Sequence, residues 1–203
     1  MDSILIEPNC LATIVSSALE VYNRETNGYL LSRKKRAIKN IHGRKHRLLN
    51  LNVAYPFQTS DRKPTEVDHG NLSATHRVID SLNSMGVKLI GGYHSHPYPN
   101  HDVIISDDDV KAALEEIERV NCNGVTLKRW LELIISAKRL DYETPHKLGY
   151  TFKSSGDGIR VKVNARPYLG FDLKIAGYWI YPKGDSALKR RALVYARQEN
   201  RYF

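Results

Sequence analysis

The stretch GGYHSHPYPNHDVIISDDDV, residues 91 to 110, holds two histidines one residue apart, then a serine and three consecutive aspartates. Side chains at i and i+2 of an extended segment project to the same side, so the imidazoles of His94 and His96 can reach one ion. Aspartates at the start of a following helix can meet them there. Two histidines, one carboxylate and a water make a zinc site with the open position that catalysis needs. Such a site still lacks a base for the water's proton, which a carboxylate from elsewhere in the chain must supply. Asp107, Asp108 and Asp109 all compete for the place of third ligand.

The elements that must position these residues can be read on either side of them. VKLIGGY is a short apolar run bounded by Gly86 and the histidine pair, as expected of a buried strand that delivers His94 at its end. SDDDVKAALEEIERV predicts a helix with Ser106 as N-cap, acids in the first turn and a stripe of Val110, Ala113, Leu114, Ile117 and Val120. Upstream, residues 10–22 carry apolar positions at helical spacing and NGYLLSR reads as a strand. Strand patterns flank Gly43 on both sides, which predicts a hairpin. A helix follows from about Asn71 to Met85, with Gly86 as its stop. WLELIISAKRL reads as another strand. LGYTFKSS, IRVKVNARPY and FDLKIAGYWIYP make a β-rich finish, and DSALKRRALVYARQ reads as a basic, amphipathic C-terminal helix.

The motifs in this order resemble those of the JAMM/MPN metalloproteases: a glutamate before a small-residue strand, then H-x-H-P, a loop, and S-x-x-D opening a helix. The matching residues are Glu25 and Gly28 in ETNGYLL, His94, Ser95, His96 and Pro97, and Ser106 and Asp109 in SDDD. The likeness spans roughly residues 10–140. It implies a mixed α and β (α/β) fold, a single domain with a central, mostly antiparallel sheet flanked by helices in the cytidine-deaminase-like manner. The implied organisation is that domain over residues 1–155, with residues 156–203 as a β-rich extension and basic helix packed on it. The resemblance further implies zinc held by His94, His96 and Asp109, Glu25 as the base that passes a proton to the leaving amine, and Ser106 as a donor to the tetrahedral oxyanion.

The loop from His96 to Ser106 is longer than the family's usual spacing, which by count alone places the aspartate at Asp107. Against this, with Ser106 as N-cap the three aspartates are fanned about 100° apart around the first turn, so one of them faces the histidines well. S-x-x-D selects Asp109. The competing register replaces Ser106 by Ile104, which cannot donate to an oxyanion. His101 and Asp102 are expected to be exposed loop polars.

The implied reaction is hydrolysis of the amide joining a ubiquitin-like modifier to its target. A metal-free binding scaffold, a nucleic-acid-associated protein and a hydrolase of a small amide are the competing readings. The chain has 203 residues, 41% of them hydrophobic and 26% charged, a composition expected of a globular domain with a real core. Its N-terminal stretch lacks a basic segment and a long apolar run, so neither a signal peptide nor a membrane anchor is expected there. Cys10 and Cys122 form no CxxC pair, which speaks against a disulfide framework and for a cytoplasmic setting. The net charge of +9 is concentrated. No acid occurs between Thr26 and Ser60, while Arg33, Lys34, Lys35, Arg36, Lys39, Arg44, Lys45 and Arg47 crowd one hairpin. Eight uncompensated cations repel one another, so an acidic partner is expected at residues 33–47. Nucleic acid is a weaker candidate, since no helix-turn-helix or aromatic RNA-binding motif accompanies the charge.

Overall fold

The computed structural model describes residues 3–33, 36–41, 44–57, 72–96, 102–122, 126–155, 157–184 and 186–197. Among them are three helices and twelve strands in mixed order, an α/β arrangement. The larger sheet runs β5-β2-β6-β7-β10-β9-β8, formed by β2 (Asn27–Arg33), β5 (Val53–Pro56), β6 (Val87–His96), β7 (Trp130–Asp141), β8 (Gly149–Ser154), β9 (Ile159–Arg166) and β10 (Leu169–Lys183). Every neighbouring pair in it is antiparallel except β6 and β7. A parallel pair needs a long crossover, and helix α3 (Asp107–Cys122) lies in the one between them. The smaller sheet is β12-β1-β4-β3, from β1 (Ser3–Ile6), β3 (Arg36–Ile41), β4 (Arg44–Leu51) and β12 (Val194–Ala196).

Helix α1 (Pro8–Glu20) starts with proline at its first turn, where the missing N–H costs no hydrogen bond. Its buried positions Cys10, Leu11, Ile14, Ser17 and Ala18 recur at helical spacing and face one core cluster together with Leu30, Tyr93, Leu131, Leu133 and Ile135. The alternate positions Tyr29, Leu31, Leu89, Ile134 and Ile180 belong to a second cluster. That cluster is closed by Ile79 of α2 (Leu72–Ser84) and by Ala113, Ile117 and Val120 of α3. Covering both faces explains why WLELIISA is buried at every position without alternation. Gly86, with φ at +77°, ends α2 in the left-handed region that glycine enters without steric cost.

The expected hairpin is present: β3 pairs antiparallel with β4 from Arg36↔Leu49 to Ile41↔Arg44. Its turn at Gly43, like Pro97 and His101, lies outside the described residues. Among the described residues no helix is long and apolar enough to cross a membrane.

The C-terminal segment corrects the sequence reading. Instead of a basic helix, Ser186–Ala192 form β11, antiparallel to β10 from Lys183↔Ser186 to Gly177↔Ala192, and Val194–Ala196 form β12 beside β1. Leucine, lysine and arginine favour helix locally, but pairing with a long neighbouring strand outweighs such small preferences. Arg191 stands directly opposite Tyr178 with its guanidinium 4.7 Å from the ring centre, an attraction the helix would forfeit. The overlooked signal is Gly184, which has φ at +57° between the paired Lys183 and Ser186. Residues after 156 therefore enter both sheets, with β10 paired to β7 over twelve positions from Leu169↔Asp141 to Ile180↔Trp130.

Candidate metal centre

Strand β6 carries His94 and His96 at its C-terminal end, on the face that α3 covers, while Tyr93 and Ser95 point to the opposite face. Tyr93 donates to Ser17 Oγ on α1 at 3.3 Å. Ser95 fastens the chain just before β2: its N–H donates to Thr26 O at 2.8 Å, and its Oγ accepts from Thr26 N at 3.0 Å. Thr26 Oγ1 and Ser17 Oγ lie 2.9 Å apart in the same buried network. The serine of H-S-H thus clamps the residue that follows Glu25.

Helix α3 brings the third group. Ser106 caps it, accepting the Asp109 N–H at Oγ over 3.0 Å, and the Ser106 N–H returns a bond to Asp109 Oδ2 at 2.8 Å. This reciprocal cap satisfies two main-chain donors and fixes the Asp109 carboxylate. Asp109 Oδ1 lies 3.3 Å from His94 Nε2, Oδ2 lies 4.0 Å from His96 Nε2, and the two Nε2 atoms are 3.3 Å apart. Asp107, by contrast, is exposed and reaches Lys189 Nζ at 3.0 Å, away from the histidines.

His94, His96 and Asp109 each offer one ligand atom, all within 4.8 Å of one another, and together they can hold a metal ion. The fit is chemical as well as geometric. Ligand atoms around a tetrahedral zinc, each about 2.0–2.1 Å from it, stand about 3.3 Å from one another. Two imidazole nitrogens and a carboxylate converging on one point concentrate electron density that a cation relieves. Burial draws the His94 pKa down, yet the hydrogen bond and charge of Glu132, with Asp109 and Glu25, reverse this and leave it raised. His96 is pushed down by burial and by His94. Burial alone raises Asp109, but the charge of His94 and the Ser106 bonds leave it below the ordinary carboxylate value.

Glu25 is half-buried near this cluster, close enough for the charges of His94 and Asp109 both to act on it. Its pKa is raised, by burial first and by Asp109, against the opposing pull of His94. Three features of the site escaped the sequence. Glu132 Oε1 lies 2.8 Å from His94 Nδ1, and Glu132 Oε2 accepts the Trp130 indole N–H at 2.6 Å. His96 Nδ1 donates to the Asp102 main-chain carbonyl at 2.7 Å, so that exposed residue serves through its backbone. That loop is tied down in turn, since Tyr178 Oη donates to Val103 O at 2.9 Å and Arg191 bonds both Tyr178 Oη and Val103 O. A lone carboxylate inside the apolar WLELIISA was the available signal for Glu132, because a buried acid requires partners.

No family model matches this chain, and no curated protein matches it. It is similar in fold to the solution structure of protein DSY2949 from Desulfitobacterium hafniense, a structural-genomics target. That likeness has a TM-score of 0.51 and 14% sequence identity and covers 98% of each chain. At this identity the likeness concerns the path of the chain alone.

Proposed function

We propose that this chain is a zinc-dependent peptidase of the JAMM/MPN type, with the cytidine-deaminase-like layering of that family, hydrolysing the amide between a ubiquitin-like modifier and its target. The observation that carries the reading is the convergence of His94 Nε2, His96 Nε2 and the Asp109 carboxylate beside a carboxyl group, Glu25, whose pKa is raised. Three protein ligands leave a fourth position open, the hallmark of a catalytic rather than a structural zinc site. Zinc bound there supplies Lewis acidity and lowers the pKa of a water to about 7. Glu25 takes the proton of the attacking water and delivers it to the departing amine, a transfer that a pKa nearer neutrality favours. Ser106 Oγ accepts in the helix cap, so its hydroxyl proton is free to donate to the oxygen that gains charge. The order of strands β2, β6 and β7, with α3 feeding Asp109 into the end of β6, supports the family reading.

The test is metal analysis of the purified protein together with cleavage of modifier-linked substrates, with and without chelator. About one zinc per chain and chelator-sensitive cleavage are expected. A zinc-free preparation with full activity, or a zinc-loaded one that cleaves no modifier-linked substrate, overturns the reading.

A further inference from the structure

A neutral imidazole carries its proton on one nitrogen and its lone pair on the other, and only the lone pair can bind a metal. For His96 the main chain decides which is which. The Asp102 carbonyl can only accept, so Nδ1 carries the proton and Nε2 is left for the cluster. For His94 the decision rests with a side chain. We propose that Glu132 is a positioning residue of the metal centre, and that the Trp130 indole, by holding Glu132 as an acceptor, keeps the His94 lone pair on Nε2.

Glu132 Oε1 sits 2.8 Å from His94 Nδ1. An indole N–H can only donate, so Glu132 Oε2, 2.6 Å from Trp130 Nε1, has to accept. Trp130 and Glu132 are 2% and 7% exposed, so neither exchanges its partner for water at little cost. Gly92, which pairs with Glu132 across the parallel strands, leaves room for both side chains. A Cβ there would come within 3.0 Å of Trp130 Cζ2 and 3.2 Å of Glu132 Oε2. Carboxylates that receive the second N–H of a ligating histidine fix its tautomer and orientation. This inference rests on the metal-centre reading and extends it to two residues outside the ligand set.

Glutamine at position 132 has the same shape but one accepting and one donating end. With its oxygen toward Trp130, its NH2 faces His94 Nδ1, which must then accept, and the ring proton moves to Nε2. With its oxygen toward His94, two donors meet at Trp130. Removing the indole donor by Trp130→Phe lets the amide turn its oxygen back to the histidine.

Nitrogen-15 NMR of the histidines reads the tautomer directly in chelated protein at alkaline pH, and competition titration with zinc reads affinity. Wild type is expected to show His94 protonated on Nδ1. Glu132→Gln is expected to show the Nε2–H form and to bind zinc about 10- to 100-fold more weakly. The double variant Trp130→Phe, Glu132→Gln is expected to recover the Nδ1–H form and most of the affinity, whereas a merely structural role predicts added damage. An unchanged tautomer and affinity in Glu132→Gln, with zinc bound by wild type, overturns the role of Glu132. If Glu132→Gln does not fold, the double variant decides: Nδ1–H with zinc bound supports the role, and Nε2–H or lost zinc overturns it. Absence of zinc binding in every form, wild type included, overturns the metal-centre reading itself and this role with it.

Discussion

Ser106 and Asp109 hold each other across one helical turn, the Ser106 N–H donating to Asp109 Oδ2 at 2.8 Å and the Asp109 N–H to Ser106 Oγ at 3.0 Å. The same carboxylate keeps its other oxygen 3.3 Å from His94 Nε2, so one side chain serves both the helix start and the histidine cluster. Asp109→Ala is expected to strip tight zinc binding. Asp107→Ala, which loses an exposed contact to Lys189, is expected to keep zinc and to cost roughly 0.3–1 kcal/mol at the helix terminus. Zinc content after gel filtration, with denaturant titration of both variants, checks this pair. Zinc lost from Asp107→Ala but kept by Asp109→Ala would move the ligand.

Glu25→Gln is expected to retain zinc, because Glu25 stands beside the ligand set rather than in it, and to lose at least about 10² in rate. Ser106→Ala is expected to lower stability by about 1 kcal/mol through the lost cap while slowing catalysis about 10²- to 10³-fold. Turnover measured at matched zinc occupancy separates the two effects. Metal loss in Glu25→Gln would contradict its role as base.

Acid sensitivity has an identifiable contributor in β10. Asp172 accepts the Arg160 Nε–H at 2.7 Å, and this hydrogen bond, with the guanidinium charge, holds its pKa below the ordinary 3.8. The unfolded chain therefore binds this proton more readily than the folded one, so the pair's contribution is present above about pH 4 and fades as pH falls through the lowered value. Denaturation midpoints taken from pH 6 down to pH 2 should fall less steeply for Asp172→Asn than for wild type. Parallel curves would show that Arg160 contributes nothing.

Among the described glycines, Gly91 makes the closest approach to a neighbouring strand. A Cβ there would lie 1.8 Å from the Leu131 carbonyl oxygen and 2.7 Å from the Leu131 nitrogen, both main-chain atoms that no rotamer can move. Gly91→Ala is expected to exceed the about 1–3 kcal/mol of ordinary overpacking and to weaken zinc binding by parting β6 from β7. Thermal melting and zinc titration test it, and a melting point near wild type would refute the strain.

Residues 33–47, which span the β3–β4 hairpin and include Lys34 and Lys35 outside the described residues, carry cations that account for most of the net charge. Replacing Lys34, Lys35, Arg44 and Lys45 by serine is expected to slow association with an acidic partner and to flatten its salt dependence. Stopped-flow association at several ionic strengths checks this, using an acidic modifier and a short DNA duplex as probes. Unchanged kinetics toward both would remove the hairpin from recognition.

Local rules made much of the site legible in advance. A period of two placed His94 and His96 on one side of a strand, and a serine followed by three acids and an apolar stripe marked the start of α3. The spacing of Ser106 to Asp109 was readable because a cap and its N3 partner are neighbours in sequence. DSALKRRALVYARQ was misread for the converse reason: its helical preference is local and weak, whereas its strand pairing with β10 and β1 depends on partners that no local pattern names. Glu132, Trp130 and the Asp102 carbonyl belong to the same class. Glu132 meets His94 only because β6 and β7 run parallel in a register that sets Gly92 against Glu132, and Asp102 meets His96 only because β10 and β11 pin the loop at Val103. The sequence by itself determined which side chains can bind a metal and which short elements present them, since those depend on residue type and spacing along one strand or one turn. Tertiary structure alone decided how each ligand is oriented, because a hydrogen bond between residues 38 positions apart, as between His94 and Glu132, exists only once the sheet has closed.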